Sequence, residues 1–255
     1  MNWRIAHVAI IMSINHPKIP FKHQLRILLQ KFVYIFPSKN TLRFLFEIEN
    51  ILYYLEGQLA IDYGQGLHPK HRLTHYHQFF TSRIRAGESV LDFGCGIGAL
   101  AYDIAQDSQA LVVGIDINPQ NITTASQRFS HPHIHYLVGD VLQDLPSQSF
   151  DVIVLSNVLE HLSERSKFIS SVQHKTGAKR MLIRVPLFER DWRVPLKHEL
   201  GVEWRLDPTH QIEYTLESFQ EEMTAAHQVV QHLEVRWGEI WAETYPIEMN
   251  NTTQA

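Results

Sequence analysis

The stretch VLDFGCGIGAL, Val90 to Leu100, limits the choice of fold more than any other part of the chain. A short apolar run carries an acid near its end, three glycines follow at alternate positions, and the residues after Gly98 suit a helix. Such a pattern reads as a buried strand that leads into a loop where side chains at Gly94, Gly96 and Gly98 would obstruct a ligand. The helix that follows directs its unpaired N–H groups at the same ligand. The pattern implies a nucleotide-like cofactor.

The chain beyond the loop alternates between helical and extended patterns. A helix over about 98–106 precedes the strand ALVVGID, a helix from Pro119 to Arg128 precedes HIHYLVGD, and the strand SFDVIVLSN comes next. A helix from Ser163 to His174 leads into RMLIRVP, and a helix LESFQEEMTAAH leads into VVQHLEVRWG and EIWAETY, which are close enough to form an antiparallel hairpin. Apolar runs separated by helical patterns specify an α/β protein with a mainly parallel sheet covered on both faces and ligands at the carboxyl ends of its strands.

The expected organisation is a basic helical extension over 1–66, a catalytic-type α/β domain over 67–247 with an inserted stretch at 187–210, and a disordered tail over 248–255. The first 45 residues carry Arg4, Lys18, Lys22, Arg26, Lys31, Lys39 and Arg43 and no acid, which leaves 16 basic against 27 acidic residues in the rest. The apolar pieces of this arm are broken by Arg, His, Lys and Pro and are too short to span a bilayer, and no small-residue cleavage site follows the first. The arm over 1–45 reads as a helix docked on the domain, or as a basic amphipathic helix making peripheral contact with an anionic membrane surface or lying on a partner. Met12 offers an alternative start to Met1. The single cysteine, Cys95, can form neither an internal disulfide nor a cysteine metal site and fits a reducing, cytoplasmic setting.

Between the arm and the glycine loop, TLRFLFEIENILYYLEGQ reads as a covering helix, and the stretch from Leu67 to Ile84 reads as helical after Pro69. His68, His71, His75 and His77 fall on several faces of such a helix, so they do not read as one ligand set. Lying across the cofactor mouth, this segment would let Arg72, Tyr76 or His77 reach a cofactor carboxylate.

Three acids at strand ends narrow the ligand. Asp92 precedes the glycines, where a pyrophosphate would tolerate an anion poorly but an ammonium or sulfonium would welcome it, and the spacing is not that of a dinucleotide fingerprint. The lysine of a phosphate-cradling loop is missing. Asp116 can accept both hydroxyls of a ribose; Asp140 can accept an adenine amine, with the Val141 backbone N–H beside it and Ile117 packing on the ring.

These residues resemble the class I S-adenosylmethionine-dependent methyltransferases: DFGCGIG is similar to their first motif, IDIN to the ribose-binding motif, GDV to the adenine contact and SNVLEHL to the segment closing the fourth strand. The resemblance covers about 89–186. It implies a Rossmann-like fold with a seven-stranded sheet and the terminal hairpin, with Gly94, Gly96 and Gly98 near the methionine half of S-adenosylmethionine, Asp92 near its amino group and Asn157 bordering it.

The expected reaction is methyl transfer to a nucleophile aligned with the S–CH₃ bond. A hydroxyl acceptor also loses a proton, for which His161 and His210 are the candidate bases. SNVLEHL and DPTHQIEYT also resemble segments of metal-assisted small-RNA 2′-O-methyltransferases and, in part, of ubiquinone-pathway O-methyltransferases, which hold a divalent cation with a Glu-x-x-Glu-His set. By that resemblance Glu160, His161 and His210 are candidate ligands, while Asn157 stands where the first Glu would be. The stretch 187–210 would shape the acceptor site through Arg190, Trp192, Arg193, Trp204 and Arg205, with Lys197 and His198 behind them, or would form a solvated lid over two buried tryptophans. Polar groups beside aromatic faces suit O-methylation of a sugar-containing or small hydroxylated acceptor, a small molecule or glycan. RNA 2′-O-methylation is the nearest alternative, disfavoured by the acidic body. A catalytically silent cofactor-binding subunit serving a partner is another.

Overall fold

The computed structural model describes residues 21–140, 143–144 and 148–247. The tail over 248–255, Val141 and the first 20 residues of the arm lie outside the described residues. Contacts divide the chain into two compact units, 1–45 and 46–255. The first contains α1 (Phe21–Val33) and the beginning of α2 (Ser38–Tyr63). In α1, Leu28 and Leu29 are exposed beside Lys22, Arg26 and Lys31. Among the described residues no helix is long and apolar enough to cross a membrane.

The second unit contains the rest of α2 and then α3 (Lys70–Thr74) and α4 (Tyr76–Thr81). The single helix expected after Pro69 is two, because His75 adopts a left-handed conformation with φ 54°. His tolerates that region better than most side chains. The break lets α4 bury Tyr76, His77, Phe79 and Phe80, whereas α3 buries none of its residues.

The alternating part begins with β1 (Ser89–Phe93), α5 (Ala99–Ser108), β2 (Leu111–Asp116), α6 (Pro119–Arg128) and β3 (Ile134–Val138). It continues with β4 (Val152–Ser156), α7 (Arg165–Thr176), β5 (Arg180–Pro186), α8 (Arg193–Leu200), α9 (Leu216–Ala225), β6 (Gln228–Arg236) and β7 (Glu239–Pro246). The strands form one seven-stranded sheet in the order β3-β2-β1-β4-β5-β7-β6. β1 to β5 are parallel, while β7 runs antiparallel to both β5 and β6. This is the Rossmann-like α/β fold expected for the class, including the terminal hairpin.

Strand alternation separates two cores. Leu91, Phe93, Ile153 and Leu155 pack with Phe168 and Ile169 of α7 and Phe219 of α9, while Val90, Val112, Val152 and Val154 pack with Phe80 of α4 and Ile104 of α5. Because side chains two residues apart share a face, Asp92 points to the same side as Val90. It therefore emerges at the carboxyl end of β1 on the side of α4 and α5. The β1 turn, the end of β2 and the end of β4 meet at the strand-order reversal, where such sheets open a ligand crevice.

Candidate active site

The glycine loop is pinned before any ligand arrives. Cys95 N donates to Ile115 O at 3.0 Å, and Gly98 N donates to Cys95 O at 3.0 Å. Asp116 Oδ2 accepts from Gly96 N at 2.9 Å, while its Oδ1 accepts from Asn118 N at 2.8 Å and Asn121 Nδ2 at 3.1 Å. One carboxylate thus joins the loop to the start of α6, where Asn118 caps the helix and Pro119 occupies its first turn. Three donors leave about one of the roughly four acceptor positions on Asp116 for a ribose hydroxyl.

Beside the loop lies a cavity of about 230 Å³, lined by Asp92, Gly94, Gly96, Ser156, His71 and Tyr76 among others. A Cβ at Gly96 would meet no atom within 4 Å, so that glycine faces open space. Asp92 is almost completely buried, its Oδ2 has no hydrogen-bond partner, and burial followed by the charge of Asp116 pushes its carboxyl up to about 8. A buried carboxylate without a donor is costly, and a ligand ammonium or sulfonium would relieve that cost. The chain therefore fits a cofactor that is cationic at this end.

Ile117 is 69 % exposed at the end of β2, as an apolar surface awaiting a ring would be. Half-buried Asp140 follows β3, and its Oδ2 accepts from Gln143 Nε2 at 3.0 Å. Its own N–H donates to Asp144 Oδ2 at 2.8 Å. Asn157, at φ 58°, does not line the loop cavity; its neighbour Ser156 does. The Asn157 amide instead donates to Glu160 Oε1 at 2.8 Å and accepts from Arg184 Nη2.

The Tyr76 hydroxyl and His77 Nε2 lie 3.0 and 2.9 Å from His71 Nδ1, and His77 Nδ1 is bonded to Asp103 Oδ2 at 2.5 Å. Burial, then the positive charges around it, lowers the His71 pKa to about 3, so its imidazole is neutral. Tyr76 and His71 reach the loop cavity, while His77 is held by Asp103 and Arg72 is exposed on α3.

Past β4 the chain makes a short turn, Leu159–His161, which brings Glu160 and His161 beside His210. One ligand atom from each lies within 4.8 Å of the others. Glu160 is wholly buried, its Oε2 has no partner, and burial raises its carboxyl to about 7. His210 Nδ1 is 3.0 Å from the buried Glu213 Oε1, and His161 Nδ1 is 2.9 Å from Thr209 Oγ1. Each ring is thereby oriented with its Nε2 left available, as second-sphere bonds orient ligating histidines. Burial and then His210 lower the His161 pKa, which favours the neutral ligand form. These residues fit a divalent cation.

A wider cleft of about 500 Å³ shares Tyr76 with the loop cavity and collects Arg190, Arg193, Lys197, Trp204 and Arg205 from the stretch over 187–210. Most of these cations are already paired: Arg190 with Glu213, Arg193 with Asp191 and Glu49, Lys197 with Glu49 and Arg205 with Glu203. Trp204 packs edge-on against Phe188 and His198, but Trp192 is 71 % exposed, so the stretch does not bury two tryptophans. Sequence reasoning passed over Arg184, which is inside β5, lines the cleft and stacks 3.7 Å above the Tyr76 ring. Its signal was a second arginine four positions after Arg180 in an otherwise apolar strand.

A crevice at the strand-order reversal, a glycine loop and acids ending successive strands define a nucleoside-cofactor protein of the Rossmann-like kind. Residues 90–175 match the family described as "Methyltransferase domain". The chain is similar to the ribosomal protein L11 methyltransferase of Burkholderia ambifaria, at 36 % identity over 42 % of this chain and 34 % of the relative. It thus spans about a third of that relative's length.

Two solved structures share the fold. A chain of the complex between the Haloferax volcanii Trm112 methyltransferase activator and its methyltransferase has a TM-score of 0.58 at 14 % identity, covering 71 % of this chain and 93 % of the other. The small RNA methyltransferase HEN1 has a TM-score of 0.55 at 19 % identity, covering 68 % of this chain and 25 % of HEN1. The methyltransferase-domain match over residues 90–175 and the shared fold make the chain similar to class I S-adenosylmethionine-dependent methyltransferases, and S-adenosylmethionine is the cofactor of that class.

Proposed function

We propose that this chain transfers the methyl group of S-adenosylmethionine to a hydroxyl of a small polyhydroxylated or sugar-containing acceptor, with a divalent cation held by Glu160, His161 and His210. The observation that carries the reading is the convergence of these three groups around the unpartnered, fully buried Glu160 Oε2. A buried acceptor atom with no donor fits a cation better than it fits a purely structural role.

Asp92 and Asp116 hold the amino and ribose ends of the cofactor, with Asp140 and Ile117 at the adenine; Asn157 acts from the other side, fixing Glu160 and Arg184. Bound S-adenosylmethionine supplies an electrophilic methyl on its sulfonium. Glu160, His161 and His210 would hold a divalent cation, which would lower the pKa of an acceptor hydroxyl. Glu213 and Thr209 keep the two imidazoles in the ligating orientation, and Tyr76 separates the cofactor cavity from the acceptor cleft. Alignment in the cleft contributes the rest, with effective molarities of about 10⁵ M or more for well-oriented partners.

The name of the L11 relatives makes a ribosomal protein a competing acceptor, and the HEN1 likeness makes RNA another. The test supplies radiolabelled S-adenosylmethionine with separate pools of glycans and small polyols, RNA and ribosomal protein, with and without chelator. The expected result is label in the first pool, lost on chelation, restored by Mn²⁺ or Zn²⁺, and reduced at least about 10²-fold by His210→Ala. Label in RNA or protein alone would reject the acceptor class. Full turnover in chelator, or in both His161→Ala and His210→Ala, would reject the cation. Calorimetry that detects binding of neither S-adenosylmethionine nor its demethylated product would reject the reading as a whole.

A further inference from the structure

The wide cleft has one conspicuous electrostatic imbalance. Arg184 is only 3 % exposed, yet its Nε and Nη1 lack hydrogen-bond partners. Nη2 donates to Asn157, Nε has Glu239 Oε2 at 3.1 Å without a hydrogen bond, and the guanidinium is stacked on Tyr76. A guanidinium has five donors in a fixed fork, and leaving buried ones unused is expensive. Glu239 also accepts from Trp241 Nε1 at 3.2 Å, so its capacity is shared.

Lys70 opens on the same cleft. It is exposed on α3, and its ammonium makes no hydrogen bond or ion pair with any described residue. Among the described residues every other cation of the cleft has an acidic partner, Arg184 through Glu239 included, so the unpaired positive charge is that of Lys70, beside an Arg184 whose donors are only partly used. The planar fork of Arg184 suits an oxyanion, and Lys70 adds a point charge.

We propose that Arg184 and Lys70 form an oxyanion subsite that binds a phosphate monoester or carboxylate on the small acceptor, across Tyr76 from the cofactor cavity. The subsite would anchor the acceptor by its charged end and present a hydroxyl farther along it to the methyl donor. The inference rests on the methyltransferase reading and narrows its acceptor to an anionic one.

The test uses the full chain in a phosphate-free buffer, saturated with S-adenosylhomocysteine, and titrates inorganic phosphate, acetate, glucose and glucose 6-phosphate by calorimetry. Glucose 6-phosphate is expected to bind at least about tenfold more tightly than glucose, with acetate and phosphate showing which oxyanion is preferred. Lys70→Gln should weaken glucose 6-phosphate about tenfold and Lys70→Arg should largely restore it. Arg184→Lys, which keeps the charge but loses the fork, should weaken it further. S-adenosylhomocysteine affinity should stay within about twofold throughout. Because Arg184 is buried, its variant could unfold, and the Lys70 pair then decides the question from the surface.

Equal affinity for glucose and glucose 6-phosphate, or no change in Lys70→Gln, would overturn the subsite while leaving the cofactor reading intact. Failure of S-adenosylhomocysteine to bind the wild-type chain would instead reject the cofactor reading on which the inference rests. A short RNA that displaces glucose 6-phosphate at micromolar concentration would place the oxyanion on a nucleic acid and overturn the small-acceptor assignment.

Discussion

Asp92 interrupts the apolar run of β1 with a carboxyl that the fold desolvates and does not compensate, and the consequences run in two directions. In the free protein its pKa is raised to about 8, so below that pH a cationic ligand that wants the ionised form must displace a proton. S-adenosylmethionine affinity should therefore rise by up to about tenfold per pH unit from 6 and level off above about 8, with proton release visible when calorimetry is repeated in buffers of different ionisation heat. Asp92→Asn should weaken binding by about 10–100-fold and remove that pH dependence. The unfolded chain ionises this group near 4, so the folded state holds an extra proton between about 4 and about 8. Its contribution to stability consequently falls as pH rises through that window, and Asp92→Asn should raise the melting temperature of the ligand-free protein increasingly toward pH 8, by at least about 2–4 °C. A variant that loses affinity without gaining heat resistance would contradict this account. The acid itself could be read from the sequence because it interrupts an apolar strand just before glycines. Arg184 could not be read with the same ease: it is the fifth residue of a strand whose neighbours are all buried, and only the packing of Tyr76 and Asn157 around it shows that it borders a cleft with donors unused.

At the level of elements, Gly96 and Gly98 of the loop do different work, and substitution should separate them. Gly98 has φ 84°, and a Cβ there would sit 2.5 Å from the Tyr136 hydroxyl and 2.8 Å from Ala125 Cβ, so its absence of a side chain is needed to pack α5 against α6 and β3. Gly96 has φ 55° but open space around its would-be Cβ. Gly98→Ala should cost about 2–4 kcal/mol, from backbone strain together with overpacking. Gly96→Ala should cost only about 1–2 kcal/mol of backbone strain yet weaken cofactor binding about tenfold or more. Denaturant unfolding with parallel cofactor titration checks both, and equal stability loss in the two variants would contradict the assignment. Residue alternation and turn chemistry made the loop, five parallel strands and the terminal hairpin legible in the sequence. The segment after Pro69 was read less well, since nothing in its helical periodicity marks His75 as a left-handed break. The acceptor stretch was legible as polar and aromatic but not as paired: Arg190 meets Glu213 across 23 positions and Lys197 meets Glu49 from α2, and neither pairing has a local sequence signature.

The molecule as a whole joins an acidic body to a basic arm, and that asymmetry is a property of sequence alone, visible from charge counts. The mainly parallel sheet and its terminal hairpin followed from strand spacing and the class resemblance, while the strand order is a finding of the structure. The Glu160, His161 and His210 trio depended instead on a fold-level event, the return of the chain after α8 to the end of β4, where Gln211 N donates to Glu160 O at 2.7 Å. What the arm does is a separate question of surface chemistry. In α1, Leu28 is 65 % exposed in the same helix as Lys22, Arg26 and Lys31, and no acid occurs in the first 45 residues. Apolar side chains flanked by unopposed cations are the composition of a helix that lies in an anionic bilayer surface. The expected outcome is co-sedimentation of the full chain with vesicles containing about 30 % anionic lipid, worth about 1 kcal/mol for each basic residue near the surface. Binding should be much weaker on neutral vesicles and fall in high salt as the Debye length shrinks to about 3 Å at 1 M. Charge reversal of Lys22, Arg26 and Lys31 together should abolish it while leaving S-adenosylmethionine affinity unchanged. Equal sedimentation with neutral and anionic vesicles, or none with either, would show that the arm serves a protein contact instead of a lipid surface.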